Sequence, residues 1–358
     1  MKKRRIIIII DNLSVGGGQR VVMELAKNID LSRYCLKVIC SGVEQFNSVE
    51  ESIRSVCDIE FLNLQGHVKA TDIFKVMKCI SKFKPDIVHA HLGGVTYAVP
   101  WSILHRKPLV VTAHTIPEKA FSKKNEMQLK AGLMLGNTML VAVSEENHNK
   151  CKEYFNLSNI RFRCVNNGVD TDKYKQKKHD GFRFINVATH NENKNQGSII
   201  ICFAKLRKIY DDVFLTLVGD GPLHKEYQEL ATSLNLGDSI EFTGQSSSPE
   251  DYYEKSDVYI QASHREAMPM SVLEGIAAGL PVISTDVGGL ADVVKENGIL
   301  VEDGDSDGLF NAMKTMREAS TATIEKMKNI SKSLSHGYSS TIMTEQYMSI
   351  YDEMIKRY

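Results

Sequence analysis

Residues 259–289 read YIQASHREAMPMSVLEGIAAGLPVISTDVGG: a strand, a loop, a short helix, a second strand and a glycine pair. DVYIQA alternates as a strand does, and MSVLEGIAAG carries a helix over 271–278 that ends at Gly279, ahead of Pro281. Strand, helix and strand in succession build an open α/β sheet, which binds ligands in the crevice at the carboxyl ends of its strands. Two acids stand there. Glu266 lies in the loop and Glu274 eight positions on, placed by this reading in the first helical turn, so that both face the crevice. Between them is a helix N-terminus. Its free N–H groups near Met270, Ser271 and Val272 suit a phosphate, and the flanking carboxylates suit sugar hydroxyls. One site could hold a sugar, a diphosphate and a ribose.

In the context SHREAMPMSVLEGIAAGLPVIST, with the G-x-P-V-I-x-T run and the GG that follow, the Glu-x7-Glu pair resembles the donor-site signature of the retaining glycosyltransferases of family 4. The resemblance implies the GT-B fold, an α/β architecture of two Rossmann-like doubly wound domains facing a central cleft. It implies a nucleotide-sugar donor held by Met268, Pro269, Met270 and Ser271 at the helix start, with Glu266 on sugar hydroxyls and Glu274 on the ribose.

A chain of 358 residues accommodates two domains, each with its own core. A hydrophobic content of 42% with 25% charged residues excludes a disordered or fibrous chain. Formal net charge is zero, yet residues 1–170 hold 24 Lys+Arg against 16 Asp+Glu, leaving 20 against 28 in the remainder. The basic half suits an anionic partner, although ordinary surface asymmetry reads the same way. Seven scattered cysteines (35, 40, 57, 79, 151, 164, 202) without a CxxC pair read as reduced thiols of a cytosolic protein, and no zinc site is indicated. MKKRRIIIIID is a first strand; its apolar run is too short for a leader or a membrane span.

RIIIII leads into DNLSVGGGQR and the helix VVMELAKNI, with three glycines between strand and helix. A dinucleotide fingerprint fails here, because counting from Gly16 its last glycine position is Val21. The family's glycine pair before R-x-V-x-x-L-A fits, implying that Gly16, Gly17 and Gly18 border the cleft opposite the donor. Strands LKVICSG, IEFLNL, PDIVHAH, PLVVTAH and MLVAVS then alternate with helices near 71–83 and 95–104. His89, His91 and His114 stand at strand ends; His89 reads as a structural residue bonded to its neighbouring loop, whereas VVTAH resembles the family's strand-end histidine that approaches the transferred sugar. In IPEKAFSKKNEMQLKAGLMLG, Lys119, Lys123, Lys124 and Lys130 interleave with Phe121, Met127, Leu129, Leu133 and Met134. Such a segment is either an ordinary charged loop and helix or a surface for anionic lipid or a lipid-diphosphate acceptor.

RFRCVNNGVD resembles the segment that closes the family's first domain, which puts the boundary at residue 170, with DTDKYKQKKHDG as linker. FRFINVA, VFLTLVG, SIEFTG, DVYIQA, PVIST and GILV, with helices over 196–208, 223–234, 249–255 and 271–278, make a second doubly wound domain, 171–339. Gly219 and Gly221 of LVGDGPL form a tight strand-to-helix turn, and the family's backbone meets the base near Gln245. A helix over 340–356, with Met343, Tyr347, Ile350, Tyr351 and Met354 at helical spacing, crosses back onto the first domain in the family. Lys194 in NENKNQ matches the family's diphosphate lysine. The arginine that stands five residues earlier in the family is Thr189 here, after Ala188, so Arg265, His190 or Arg20 is left to substitute for that bidentate clamp.

The expected function is retaining transfer of a hexose or N-acetylhexosamine from a UDP- or GDP-sugar to a lipid-linked or surface-glycan acceptor. Glu266, His114 and Lys194 form the expected catalytic set, with no metal or other cofactor, no nucleic-acid partner, and a location in the cytoplasm or at the inner face of a membrane. A non-catalytic partner subunit and a sugar-nucleotide epimerase of the same fold are the alternatives.

Overall fold

The computed structural model describes residues 3–64, 66–157, 162–175 and 177–357. Lys2 of the basic amino-terminal run, Arg161 of RFRCVNNGVD and Gln176 of the polar tract lie outside them. The chain divides into two compact units, Met1–Gly168 with Ser340–Tyr358, and Val169–Ser339.

The first unit is built on seven parallel strands: β1 (Arg4–Ile10), β2 (Tyr34–Cys40), β3 (Asp58–Phe61), β4 (Ile87–His91), β5 (Leu109–Ala113), β6 (Thr138–Ala142) and β7 (Phe162–Cys164). Their spatial order is β3-β2-β1-β4-β5-β6-β7. Ile6 to Ile10 expose no surface, so both faces of β1 are covered, as a continuous isoleucine run demands. The order reverses between β1 and β4, and a crevice therefore opens where β1 runs into the glycine loop and β4 into His91. The three-residue β7 is an edge strand inside RFRC that its sequence did not announce. Nor did the sequence announce the helix Ser48–Arg54, which starts where the Asn47 side chain accepts from the N–H groups of Val49 and Glu50.

The helix Ser340–Arg357 belongs to this first unit. Met343, Tyr347, Ile350, Tyr351 and Met354 are all buried in it. In the helix Lys123–Met134, Leu129 and Leu133 join the core under the sheet, while Met127, Met134 and the following Leu135 remain exposed.

The second unit has six parallel strands: β8 (Phe182–Val187), β9 (Val213–Val218), β10 (Ile240–Gly244), β11 (Val258–Gln261), β12 (Val282–Thr285) and β13 (Gly298–Val301). Their order, β10-β9-β8-β11-β12-β13, reverses between β8 and β11. Phe184, Phe203, Leu215, Ile260 and Met313 fill its core. Helices occupy Gln196–Arg207, His224–Ser233, Glu250–Tyr253 and Met270–Ala277, close to expectation.

Two expectations are corrected here. The helix after Glu266 begins at Met270, because Pro269 occupies the N-cap position with φ −71° and ψ 128° and the chain coils immediately after it. Glu274 is thus the fifth helical residue, in the second turn, and the first turn has no acid. The polar tract after Asp170 is not a free linker. Lys175 N–H donates to Glu254 Oε1 at 3.1 Å and Lys177 N–H to the Glu254 carbonyl at 2.8 Å, which fastens the tract to the second unit.

Candidate active site

In the second unit the sequence-selected residues gather at the carboxyl ends of the strands. After β8 the chain passes Thr189, exposed, and turns through 191–195, where Lys194 N–H donates to the Asn191 side chain at 3.0 Å and Asn195 adopts φ +51°. That turn aims the Lys194 ammonium at the loop after β11. Lys194 Nζ lies 2.5 Å from Glu266 Oε1, and Gln261 Nε2 donates to the same oxygen at 3.3 Å. Gln261 ends β11 and was not selected from the sequence.

The Glu266 loop is held from two sides. His264 N–H donates to the Asn193 carbonyl at 2.9 Å and the Asn193 side-chain amide to the Arg265 carbonyl at 3.0 Å, tying it to the Lys194 turn. From β12, Thr285 Oγ1 donates to the Ser263 carbonyl at 2.6 Å and Gly289 N–H to the Ala267 carbonyl at 2.8 Å. The GG pair earns its place at Gly288, where φ is +60° and a Cβ would sit 2.1 Å from the Glu266 carbonyl oxygen.

The helix Met270–Ala277 has no side-chain cap, and its N-cap residue is a proline, so the N–H groups of Met270, Ser271 and Val272 have no intrahelical acceptor. Met268, Pro269 and Met270 are buried at this end. Glu274 is buried, and Tyr253 Oη donates to its Oε2 at 3.1 Å. The Tyr259 hydroxyl lies 3.0 Å from Gln261 Oε1 and 2.9 Å from Ser271 Oγ, so one polar chain joins the helix start to the Glu266 cluster.

Gly219 and Gly221 serve the backbone. A Cβ on Gly219 would lie 2.0 Å from the Ala188 carbonyl oxygen, and one on Gly221 2.4 Å from that of His190, so the loops after β8 and β9 pack without side chains between them. Gly219 N–H also donates to the Gly244 carbonyl at 2.9 Å, beside the exposed Gln245. His190 is not available as a substitute for the missing arginine. It is fully buried, stacked on His224 with ring centroids 4.9 Å apart, and burial lowers its pKa to about 4. Thr189 and Arg265, by contrast, are exposed on their loops.

The first unit brings together the three strand-end histidines. His91 Nδ1 and His114 Nε2 are 2.8 Å apart, and the His89 ring lies over that of His91 at 4.0 Å. His89 does not bond its neighbouring loop: its nitrogens meet Tyr351 Oη at 2.7 Å and Thr112 Oγ1 at 2.8 Å, and Tyr347 Oη lies 2.9 Å from Thr112 Oγ1. Burial lowers the pKa of His114 to about 4, so it is neutral at physiological pH. Gly17 and Gly18 open the helix Gly17–Asn28, which has no side-chain cap and no acid in its first turn. A Cβ on Gly18 would press on Leu92 at 3.2 Å.

Among the described residues no group of three or more His, Cys, Asp or Glu side chains could hold a metal ion, and no helix is long and apolar enough to cross a membrane.

Two Rossmann-like parallel-sheet units, one of them carrying a cation, a carboxylate and an open helix N-terminus at its carboxyl edge, define the class: a glycosyltransferase of the GT-B fold. Residues 15–173 match the family described as Glycosyltransferase Family 4 and residues 170–333 match Glycosyl transferases group 1, so the chain belongs to the family-4 type of glycosyltransferases. An uncharacterised glycosyltransferase of Methanocaldococcus jannaschii is 26% identical over 238 residues, which span 60% of this chain and 58% of that relative. The UDP-Gal:alpha-D-GlcNAc-diphosphoundecaprenol alpha-1,3-galactosyltransferase of Escherichia coli is 23% identical over 372 residues, 95% of each chain. Among solved structures, Alr3699/HepE of Anabaena in complex with UDP and glucose superposes with a TM-score of 0.82 at 19% identity, covering 97% of this chain and 99% of that one.

Proposed function

We propose that this chain is a retaining transferase that moves a hexose or N-acetylhexosamine from a UDP- or GDP-sugar to a lipid-linked or surface-glycan acceptor. The observation that carries the reading is the Lys194–Glu266 pair at 2.5 Å, on the same sheet edge as the uncapped helix start at Met270. The Lys194 ammonium and the free N–H groups stabilise the diphosphate as it departs, a task that positive side chains and a helix terminus perform without a metal. Glu266 takes sugar hydroxyls, Glu274 the ribose hydroxyls, and His114 the sugar or acceptor. The acceptor oxygen bonds to the anomeric carbon on the face from which the diphosphate leaves, and its proton passes to the departing phosphate oxygen. The Escherichia coli relative, named for a UDP-sugar donor and a diphosphoundecaprenol-linked acceptor, supports this choice of substrates.

A panel of UDP-, GDP-, ADP- and TDP-sugars should raise the melting temperature with one nucleotide only, because a ligand of the folded state stabilises it by RT ln(1 + [L]/Kd). In Glu274→Ala that shift should shrink. No shift with any nucleotide would favour a non-catalytic partner subunit, and conversion of the sugar nucleotide to its epimer without acceptor would favour an epimerase.

The acceptor reading extends to a surface. Met127, Met134 and Leu135 are exposed beside Lys123, Lys124 and Lys130, an apolar and basic combination that suits an anionic bilayer. The full chain should co-sediment with phosphatidylglycerol vesicles and be released by salt, and Met127→Asp with Met134→Asp should weaken this several-fold. Equal retention on phosphatidylcholine vesicles, or none on either, would count against a basic docking face.

A further inference from the structure

The first unit contains a proton arrangement that the proposed function does not use. His91 exposes no surface, and its Nδ1 faces His114 Nε2 at 2.8 Å. Two nitrogens so close share one proton, so one ring donates and the other accepts. His91 Nε2 is buried and meets no hydrogen-bond partner among the described residues, and this decides between the two arrangements.

If His114 donated from Nε2, His91 would have to accept at Nδ1 and carry its own proton on Nε2. That would bury an N–H group with nothing to receive it, the costlier kind of orphan. If His91 donates from Nδ1, its Nε2 is a bare lone pair, which tolerates isolation better. A doubly protonated His91 is excluded, since burial holds its pKa well below the usual histidine range, the neighbouring His89 and His114 push the same way, and no acid bears on it. The ring cannot turn away to escape the choice. His89 lies over it at 4.0 Å, fixed in turn by Tyr351 and Thr112.

We infer that His91 is a positioning residue that fixes His114 as the Nδ1–H tautomer, so that His114 offers the transferred sugar or acceptor a hydrogen-bond donor and not a base. His114 Nδ1 is the nitrogen left over, with no partner among the described residues. The inference rests on the proposed role of His114 at the reacting sugar, and it deepens that role. His114 steadies a hydroxyl oxygen, and the acceptor proton leaves by the diphosphate instead.

The direct test is the nitrogen resonances of the full chain labelled with 15N-histidine, with His114 assigned by its loss in His114→Gln. A protonated Nδ1 and a bare Nε2 are expected, and a proton on Nε2 overturns the inference whether or not His114 matters for transfer. Kinetics provide the second arm. His91→Asn retains an N–H at the Nδ1 position and should keep kcat within about threefold. His91→Leu should lower kcat about tenfold or more with the donor KM little changed, the pattern of an interaction made in the transition state. Wild-type kcat in His91→Leu alongside an impaired His114→Gln overturns the inference. Wild-type kcat in His114→Gln instead removes the assigned role of His114, leaving the tautomer to the resonances. If His91→Leu does not fold, the wild-type resonances decide alone.

Discussion

Replacing Lys194 by alanine should lower kcat/KM for sugar transfer by about 10²–10³-fold, the usual loss when one preorganised stabiliser of developing charge is removed. Two effects combine. Under the proposed function the departing diphosphate loses its cation, and Glu266, whose side chain is only 10% exposed, loses its partner at 2.5 Å. A half-satisfied carboxylate in that position costs about 1–3 kcal/mol of stability. A double-mutant cycle separates the effects. In a Glu266→Gln background, which removes the ion pair, Lys194→Ala should still depress transfer by most of the same factor. If the lysine served only Glu266, its loss would be silent there. Glu266→Gln alone should act mainly on kcat, since the proposed function gives the nucleotide to Glu274 and the helix start.

Gly288→Ala touches no substrate in this reading, yet it should reduce kcat by about 10²-fold, because a displacement of about 1 Å in a positioning element is enough for that. The new Cβ would stand 2.1 Å from the Glu266 carbonyl oxygen and 2.7 Å from its carbonyl carbon, against backbone that has no rotamer to escape into. A left-handed φ of +60° adds about 1–2 kcal/mol of conformational cost for alanine. Nucleotide binding measured by thermal shift should survive better than transfer, since Glu274 is held separately by Tyr253. Wild-type kinetics in Gly288→Ala would falsify the claim that this glycine sets the position of Glu266.

Most of the fold could be read from the chain, because strands buried on both faces leave continuous apolar runs such as RIIIII and parallel units repeat. Where the reading fell short, the determinant was short or distant. β7 has three residues, too few for a period, and the helix Ser48–Arg54 depends on a cap at Asn47. Of the site, Glu266, Glu274 and Lys194 carried motif context. Gln261, Asn193 and Tyr253 did not, since each acts through a partner on another loop or element that no local pattern marks. That His190 cannot substitute for the missing arginine was hidden for a related reason. It follows an exposed threonine at a strand end, and only the stacking partner His224, 34 positions on, reveals that its ring turns inward.

The helix Ser340–Arg357 has a consequence for biosynthesis. In the order of translation the second unit is an insert: residues 169–339 emerge between the sheet of the first unit and the helix that supplies Tyr347 and Tyr351 to it. Val169 and Ser339 pair as a bridge within that insert, so it begins and ends at one point and can close on itself while the nascent chain lengthens. The unit that starts first therefore finishes last. Until the helix arrives, His89 and Thr112 lack their tyrosine hydroxyls, and a chain truncated after residue 339 has a complete second unit and an open seam in the first.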